Sequence, residues 1–186
     1  INVNWGTLNG ATPKLWVDYI FLDTEERKRF AQMSHEYLID QLQCGGTESS
    51  GKKWRLNFNH PVKELVWETV PAGSSLNSTV KLQLNGHDRF AERNFKYFSL
   101  LQKYYHHTNV PASYKKAAPI IPANTTAVYS FALRPEEHQP SGTCNFSRID
   151  NAQIVKVGTA VAPTFYAVNY NVLRVVSGMG GLAYSN

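Results

Sequence analysis

Three adjacent ionisable residues, Glu136, Glu137 and His138, are the first candidates for chemistry in this sequence. A carboxylate beside an imidazole can serve general acid–base catalysis, and the same side chains can bind a metal ion. Pro135 and Pro140 flank the three residues, so we expect them to occupy a turn, where charged side chains are common without a catalytic role. The sequence therefore favours a structural corner over an active site here.

A near match to a phosphate-binding loop lies between Gly46 and Lys53. Such a loop needs a hydroxyl side chain directly after its lysine to hold magnesium, and a helix that begins at the phosphates. Here Lys53 stands where the hydroxyl is needed, and residues 54–59 alternate apolar and polar side chains as in a half-buried strand. We interpret the segment as a hairpin loop.

Metal and redox motifs are equally weak. His106 and His107 are adjacent, so on a strand they would point to opposite faces and could not readily share a metal ion. Cys44 and Cys144 lie far apart and form no CxxC pair, so a disulfide is possible but not implied. The sequence predicts no catalytic, cofactor-binding or metal-binding residue, and no cofactor.

The elements that must position these residues are mostly strands. Hydrophobic residues make up 42% of the chain, aromatic residues 12% and charged residues only 18%, a balance typical of a packed domain. Turn signals separate seven to nine predicted strands, which favours an antiparallel double sheet such as a jelly roll. The strands are predicted at 15–22, 37–43, 54–59, 62–70, up to Asn85, 128–134, 154–157 and 165–176, with a further run carrying Cys144, Phe146 and Arg148 on one side. The tail at 182–186 is a candidate for one more short strand.

Two predictions concern the start of the chain. Residues 15–22 are apolar on both faces, so we expect a strand buried on one side by the sandwich and covered on the other by other protein. Asp23 and Glu26 have the spacing of a capping box, which predicts a short helix lying against the sandwich. Ile1 opens the sequence where a Met would be expected, so we expect a longer protein with residues 1–14 as a linker.

The formal net charge of +5 could serve an anionic partner, but the basic residues are scattered, so nucleic-acid binding is not expected. No apolar run reaches the length of a membrane span. Asn77, Asn124 and Asn145 each begin an Asn-x-Ser/Thr sequon. We expect Asn145 to lie in a buried strand, which leaves Asn77 and Asn124 as the possible glycosylation sites.

Longer stretches carry a resemblance to a known family. Residues 129–148, Tyr-Ser-Phe-Ala-Leu-Arg-Pro-Glu-Glu-His-Gln-Pro-Ser-Gly-Thr-Cys-Asn-Phe-Ser-Arg, closely resemble the C-terminal region of major capsid proteins of nucleocytoplasmic large DNA viruses, the group that includes iridoviruses, phycodnaviruses and marseilleviruses. Similar matches occur in the same order at 18–32, 57–67 and 84–90, and from Asn169 to the Ser-Gly-Met at 177–179.

The resemblance implies an all-β fold: an antiparallel eight-stranded jelly-roll β-sandwich with a short helical insertion, forming the second half of a double jelly roll. Residues 1–14 would link it to a missing N-terminal jelly roll, and residues 15–186 would form the C-terminal jelly-roll domain. The implied function is structural, with no enzymatic residue: trimeric, pseudo-hexagonal capsomers that tile the icosahedral shell of the virion.

The implied partners are two further copies in a homotrimer through the double jelly roll, neighbouring capsomers and minor capsid proteins, all assembled inside the infected host cell. Direct nucleic-acid binding is not expected. The residues that we predict to order the corner or to meet a neighbouring subunit are Arg134, Glu136, Glu137, His138 and Arg148. Two alternatives stay open from the residues alone, namely a β-sandwich glycan-binding module, suggested by exposed aromatic residues, and a metal enzyme.

Overall fold

A computed structural model describes residues 14–45, 47–48, 52–68, 79–108, 126–157 and 164–185 of the 186-residue chain. Within these ranges the chain forms two six-stranded antiparallel sheets. The strands are β1 (His35–Gly45), β2 (Thr47–Glu48), β3 (Lys53–Arg55), β4 (Pro61–Glu68), β5 (Thr79–Leu84), β6 (His87–Asp88), β7 (Arg93–Asn94), β8 (Thr126–Ser130), β9 (Cys144–Asn145), β10 (Ala152–Val157), β11 (Thr164–Val176) and β12 (Met179–Leu182).

The first sheet has the order β1-β11-β4-β8, with β12 paired to β11 and β9 paired to β4. The second has the order β2-β3-β10-β5-β6, with β7 paired to β5. The 13-residue β11 is the central strand of the first sheet and pairs along the whole length of β1, from His35 opposite Val175 to Gly45 opposite Phe165. The prediction of an all-β fold with two antiparallel sheets is confirmed.

Aromatic side chains from both sheets fill the space between them. Trp54 of the second sheet and Phe165 of the first have ring centroids 6.2 Å apart, and Trp67 lies 5.3 Å from Phe98. Strict alternation predicted this arrangement for residues 54–59: Trp54, Leu56 and Phe58 are buried, and the residues between them are exposed. β2 and β3 pair antiparallel, as a hairpin requires, and no helix begins at Lys53; residues 46 and 49–51 lie outside the described residues.

The helix after Asp23 is confirmed, but its predicted packing is wrong. Helix α1 (Thr24–Gln32) begins where the Glu26 backbone N–H donates to the Asp23 carboxylate at 2.8 Å. None of its residues is buried, and its closest aromatic contact is between Phe30 and His35, at 5.0 Å between ring centroids. The helix therefore projects from the sandwich, because its local capping signals suffice to form it without a packed face.

The predicted strand at residues 15–22 is also wrong. The segment has no regular secondary structure, and the exposed fractions of Trp16, Ile20 and Phe21 are 89%, 87% and 91%. A strand needs a neighbour for its backbone hydrogen bonds and an apolar surface for its side chains. No strand in the described part of the chain supplies either, so apolar composition alone did not determine its structure. We call residues 15–22 the apolar arm.

The aromatic region before residue 108 contains a second helical segment that the sequence did not predict. A π-helical turn (Tyr97–Leu101) leads directly into α2 (Gln102–His106). The Gln102 side chain donates to the Tyr97 hydroxyl at 2.9 Å and accepts from the Ser130 backbone N–H at 3.1 Å, which joins the helix to β8. Phe98 lies in the core, whereas Tyr104 and Tyr105 are exposed.

The predicted alternating strand with Cys144, Phe146 and Arg148 on one side is wrong. Only Cys144 and Asn145 pair with β4; a 3₁₀ helix (Phe146–Arg148) follows. The Asn145 side chain accepts from the Ser147 backbone N–H at 3.1 Å, a local bond that competes with strand pairing. Phe146 is consequently buried, whereas Asn145 and Arg148 are exposed, so the expectation of a buried Asn145 is wrong as well.

The turn predicted at Asn85 is confirmed, since Asn85 and Gly86 have φ values of 50° and 82° between β5 and β6. The final strand forms earlier than predicted, at Met179–Leu182, where it pairs with β11. Residues 1–13 and 110–122, together with Asn77 and Asn124, lie outside the described residues. None of the described helices is long and apolar enough to cross a lipid bilayer.

Candidate functional site

The corner predicted around Glu136 occupies residues 131–142, directly after β8. It begins earlier than predicted, because the strand expected at 128–134 ends at Ser130. Its entrance is fixed to β4, because the backbone N–H groups of Phe131 and Ala132 both donate to the Lys63 carbonyl, at 2.9 and 3.2 Å. The Ser130 hydroxyl donates to the Ala132 carbonyl at 2.7 Å. These bonds end the strand and turn the chain away from the sheet.

The exit of the corner folds back onto its entrance. The Arg134 backbone N–H donates to the Ser141 hydroxyl at 2.9 Å. Gly142 has φ +144°, and a Cβ built on it would lie 2.7 Å from the Phe131 carbonyl oxygen. The corner is thus a closed loop whose two ends are in backbone contact at a position where a side chain does not fit.

The corner brings four of the five predicted site residues together. Arg134 and Glu137 form an ion pair at 3.1 Å, but both side chains are exposed, so it contributes about 1 kcal/mol at most. His138 is exposed and forms no ion pair within the described ranges. Arg148 lies on the 3₁₀ helix after β9, outside the corner.

Glu136 has partners that the sequence analysis missed. One carboxylate oxygen lies 3.0 Å from Nδ1 of His107, and the other accepts from the Thr108 backbone N–H at 2.9 Å and from its hydroxyl at 2.6 Å. On the other side of the ring, His107 Nε2 lies 3.1 Å from a Glu64 carboxylate oxygen, in an approach that lacks hydrogen-bond direction. We call His107, Glu64 and Glu136 the histidine bridge.

No sequence signal indicated this cluster. Glu64 belongs to β4, and in the sequence it is an ordinary polar residue of a predicted strand. The adjacent pair His106 and His107 suggests only a metal site, which the spacing argues against. The bridge depends on α2, which ends at His106 and places the next residue between β4 and the corner. A helix that the sequence did not predict therefore creates the contact.

Electrostatics bind the bridge together. The contact with Glu64 raises the pKa of His107 above its ordinary value; Glu136 adds to the increase, and partial burial opposes it. Bonds from the Thr108 side chain and backbone, followed by the His107 contact, lower the pKa of Glu136 to about 2. Both shifts favour an imidazolium between two carboxylates.

The bridge is not arranged as a metal centre. Its two carboxylates approach opposite nitrogens of one ring, so the three side chains do not converge on a common point. Across the described ranges, no group of three or more His, Cys, Asp and Glu side chains is placed to hold a metal ion. Cys44 and Cys144 are both free thiols.

A second notable surface is apolar. All the large hydrophobic side chains of the apolar arm are exposed, as are Leu38 and Leu42 on β1. Water-exposed apolar side chains concentrated in this way mark an interaction surface more often than a free one. The molecule thus has a polar closed corner and an uncovered apolar segment.

Comparison with known proteins places this fold in a family. The family model described as "Large eukaryotic DNA virus major capsid protein" matches residues 26–77 and 69–181. The chain belongs to this family. The resemblance seen in residues 129–148 is thereby confirmed.

Individual relatives agree. The major capsid protein of Pyramimonas orientalis virus is 55% identical, in an alignment that covers 92% of this chain and 48% of that protein. The major capsid protein of Paramecium bursaria Chlorella virus 1 is 39% identical, with coverage of 94% and 54%. The chain therefore spans about half the length of the curated relatives it matches.

The solved structures give the same result. A quasi-atomic model of the PBCV-1 virus capsid superposes with a TM-score of 0.70 at 36% identity, covering 90% of this chain and 56% of the matched one. The Faustovirus major capsid protein superposes with a TM-score of 0.53 at 13% identity, which shows a shared fold alone.

Proposed function

We propose that this chain is the second jelly roll of a structural capsid protein, and that the whole protein forms trimeric, pseudo-hexagonal capsomers of an icosahedral large DNA virus shell. Membership of the major capsid family, the two antiparallel sheets and the half-length match to the relatives support this proposal. In this role the protein has no enzymatic activity, and its partners are two further copies, neighbouring capsomers and minor capsid proteins.

We keep the domain division as part of the proposal, with residues 1–14 as a linker and 15–186 as the jelly-roll domain. Eight strands of the two sheets would form the jelly roll, and the two-residue strands would be accessory. Asn77 and Asn124 remain proposed glycosylation sites.

The observation that carries the proposal is the apolar arm. Leaving side chains such as Trp16, Ile20 and Phe21 in water is unfavourable, since burying each would contribute about 1.5–3 kcal/mol. A capsomer offers what the isolated sandwich lacks, namely neighbouring β-sandwiches whose surfaces can cover the arm. The corner residues Arg134, Glu136, Glu137 and His138 are proposed to order the corner or contact a neighbouring subunit, and Arg148 likewise.

Mass measurement of the full-length protein in solution tests the proposal. We expect trimers, and a protein with Ile20→Ser and Phe21→Ser should lose them while retaining its secondary structure. Tyr104→Ser is the matched control, because it also removes an exposed apolar side chain but lies outside the arm. A full-length protein that stays monomeric and forms no particle would contradict the proposal.

The glycan-binding alternative predicts a different result. It would use exposed aromatic rings such as Tyr104 and Tyr105, whose centroids lie 5.6 Å apart. If it were correct, a glycan screen would give hits that Tyr104→Ser abolishes, and the arm variants would retain them. Similarly, a substrate turnover lost in Glu136→Ala would contradict a purely structural corner.

A further inference from the structure

His107 lies between two carboxylates that come from different parts of the fold. Its Nε2 is 3.1 Å from Glu64 on β4, and its Nδ1 is 3.0 Å from Glu136 in the corner. The exposed fractions of the His107 and Glu64 side chains are only 17% and 12%, whereas that of Glu136 is 39%. The bridge is therefore shielded on the sheet side and reachable by water on the corner side.

The protonation state of the ring decides whether both contacts are favourable. A neutral imidazole has one N–H and one lone pair, whereas an imidazolium has an N–H on each nitrogen. A carboxylate oxygen is only an acceptor, so both contacts are attractive only when His107 is an imidazolium. A neutral ring can still donate to Glu136 through Nδ1, but the contact then lacks its charge, and Glu64 and Glu136 have no cation between them.

Glu136 is the corner residue through which this charge acts. Besides His107, it accepts two hydrogen bonds from Thr108, the residue that follows the bridge histidine. His106 adds a parallel contact, since its Nδ1 donates to the Leu133 carbonyl at 3.0 Å. The segment 106–108 thus attaches the corner to the sandwich through one ion pair and three hydrogen bonds.

We propose that the histidine bridge is a proton-dependent fastening of the corner: imidazolium at His107 holds Glu136 against the Glu64 side of the sandwich, and loss of the proton loosens residues 131–142. The groups that face the ring from the packed elements are Glu64 from β4 and Glu136 from the corner. On α2, the Lys103 carbonyl accepts the His107 backbone N–H, and within the described ranges neither the Lys103 nor the His106 side chain forms an ion pair with Glu64 or Glu136.

The direction of the pH effect follows from the raised pKa of His107. A group whose pKa is higher in the folded than in the unfolded protein stabilises the fold fully below its ordinary value near 6.5, and this contribution is lost as pH rises through the folded value. Fastening is therefore complete below pH 6.5 and weakens as pH rises through the folded pKa of His107. The entrance of the corner stays attached, because its bonds to the Lys63 carbonyl involve no titrating group.

Two measurements on the full 186-residue chain test the inference. Nitrogen-15 chemical shifts of the His107 ring should show both nitrogens protonated below pH 6.5, with a titration midpoint above that of a free histidine. Amide hydrogen exchange of residues 133–141, corrected for the intrinsic pH dependence, should accelerate by about threefold or more as pH rises through that midpoint. A midpoint at or below about 6.5, or exchange that does not change with pH, would overturn the proposal.

Substitutions separate the bridge from general effects of pH. Glu64→Gln and Glu136→Gln should each lower the His107 midpoint, and His107→Gln should remove the pH dependence of corner exchange. His138→Gln is the control, since this exposed histidine lies in the same corner without an ion pair. Because Glu136 is partly exposed, Glu136→Gln should fold even if Glu64→Gln does not. A wild-type midpoint in Glu136→Gln, or a pH dependence that disappears in His138→Gln, would refute the assignment.

Discussion

Replacement of Gly142 by alanine tests whether the corner is closed as tightly as the structure shows. At φ +144°, an added Cβ would lie 2.7 Å from the Phe131 carbonyl oxygen and 3.4 Å from the Ala132 Cα. Both neighbours are backbone atoms, so neither can move aside as a side chain would. Moving the Phe131 carbonyl would also strain the two hydrogen bonds that fix the corner to β4, which the backbone N–H groups of Phe131 and Ala132 donate to the Lys63 carbonyl.

The expected cost can be worked out by comparison with Gly86. Gly86 also has a positive φ, +82°, but nothing lies within 4 Å of its Cβ position. Gly86→Ala should therefore cost only the left-handed backbone penalty, about 1 kcal/mol. Gly142→Ala adds a steric overlap to an unfavourable backbone conformation, for a total of about 3–5 kcal/mol.

Urea unfolding followed by tryptophan fluorescence measures both variants, because Trp54 and Trp67 are buried and report loss of the core. Each substitution restricts the unfolded chain equally, so that effect cancels in the comparison. We expect Gly142→Ala to lower the free energy of unfolding by about 3 kcal/mol more than Gly86→Ala. Equal losses in the two variants would show that the corner ends are not in contact.

Three further predictions concern other parts of the chain. Phe165→Ala should lower the free energy of unfolding by about 3–5 kcal/mol because it opens a cavity between the sheets, whereas Phe21→Ala, at an exposed position, should leave it unchanged in the isolated chain; urea titration checks both. The pKa of Glu136 is lowered to about 2 from an ordinary 4.5, so its stabilisation is present above pH 4.5 and lost as pH falls towards 2; Glu136→Gln should therefore lose less stability than wild type over that range, as measured by unfolding at each pH. Asp23→Ala should weaken α1 by about 1 kcal/mol without changing the stability of the sandwich, and amide exchange in residues 24–32 would reveal it.

Local patterns predicted the elements whose stability is local. In residues 54–59 apolar and polar side chains alternate, so one face is apolar. The burial of Trp54, Leu56 and Phe58 follows directly from that pattern. Asp23 caps α1 with its own side chain, and Asn85-Gly86 adopts positive φ without help from distant residues. In each case the decisive interaction is within a few positions of the residue that signals it.

The wrong predictions concern segments whose structure depends on residues distant in sequence, or on a local side-chain bond that competes with strand pairing. The apolar arm has the composition of a buried strand, but burial depends on a surface that no described segment provides. The segment containing Phe146 was predicted as a strand, yet Asn145 forms a local bond to Ser147 that begins a 3₁₀ helix. The π-helical turn before α2 has an aromatic composition that favours strands, and packing of Phe98 against Trp67 overrides that preference.

The candidate site could be predicted only in part. Flanking prolines indicated the corner correctly, and the structure places Arg134, Glu136, Glu137 and His138 on it. The histidine bridge could not be predicted, because Glu64 and Glu136 are far apart in sequence and meet only through the position of α2. A single sequence contains no signal for such a three-way contact.

The length and position of β11 have a consequence for the order of synthesis. β1 and β4 are translated before β11. In the sheet they do not pair with each other, because each of them pairs with β11. Until residues 164–176 leave the ribosome, β1 has an open hydrogen-bonding edge where β11 will pair and β4 lacks one neighbour. Such late closure through sequence-distant pairs makes folding slow and leaves the nascent chain prone to aggregation.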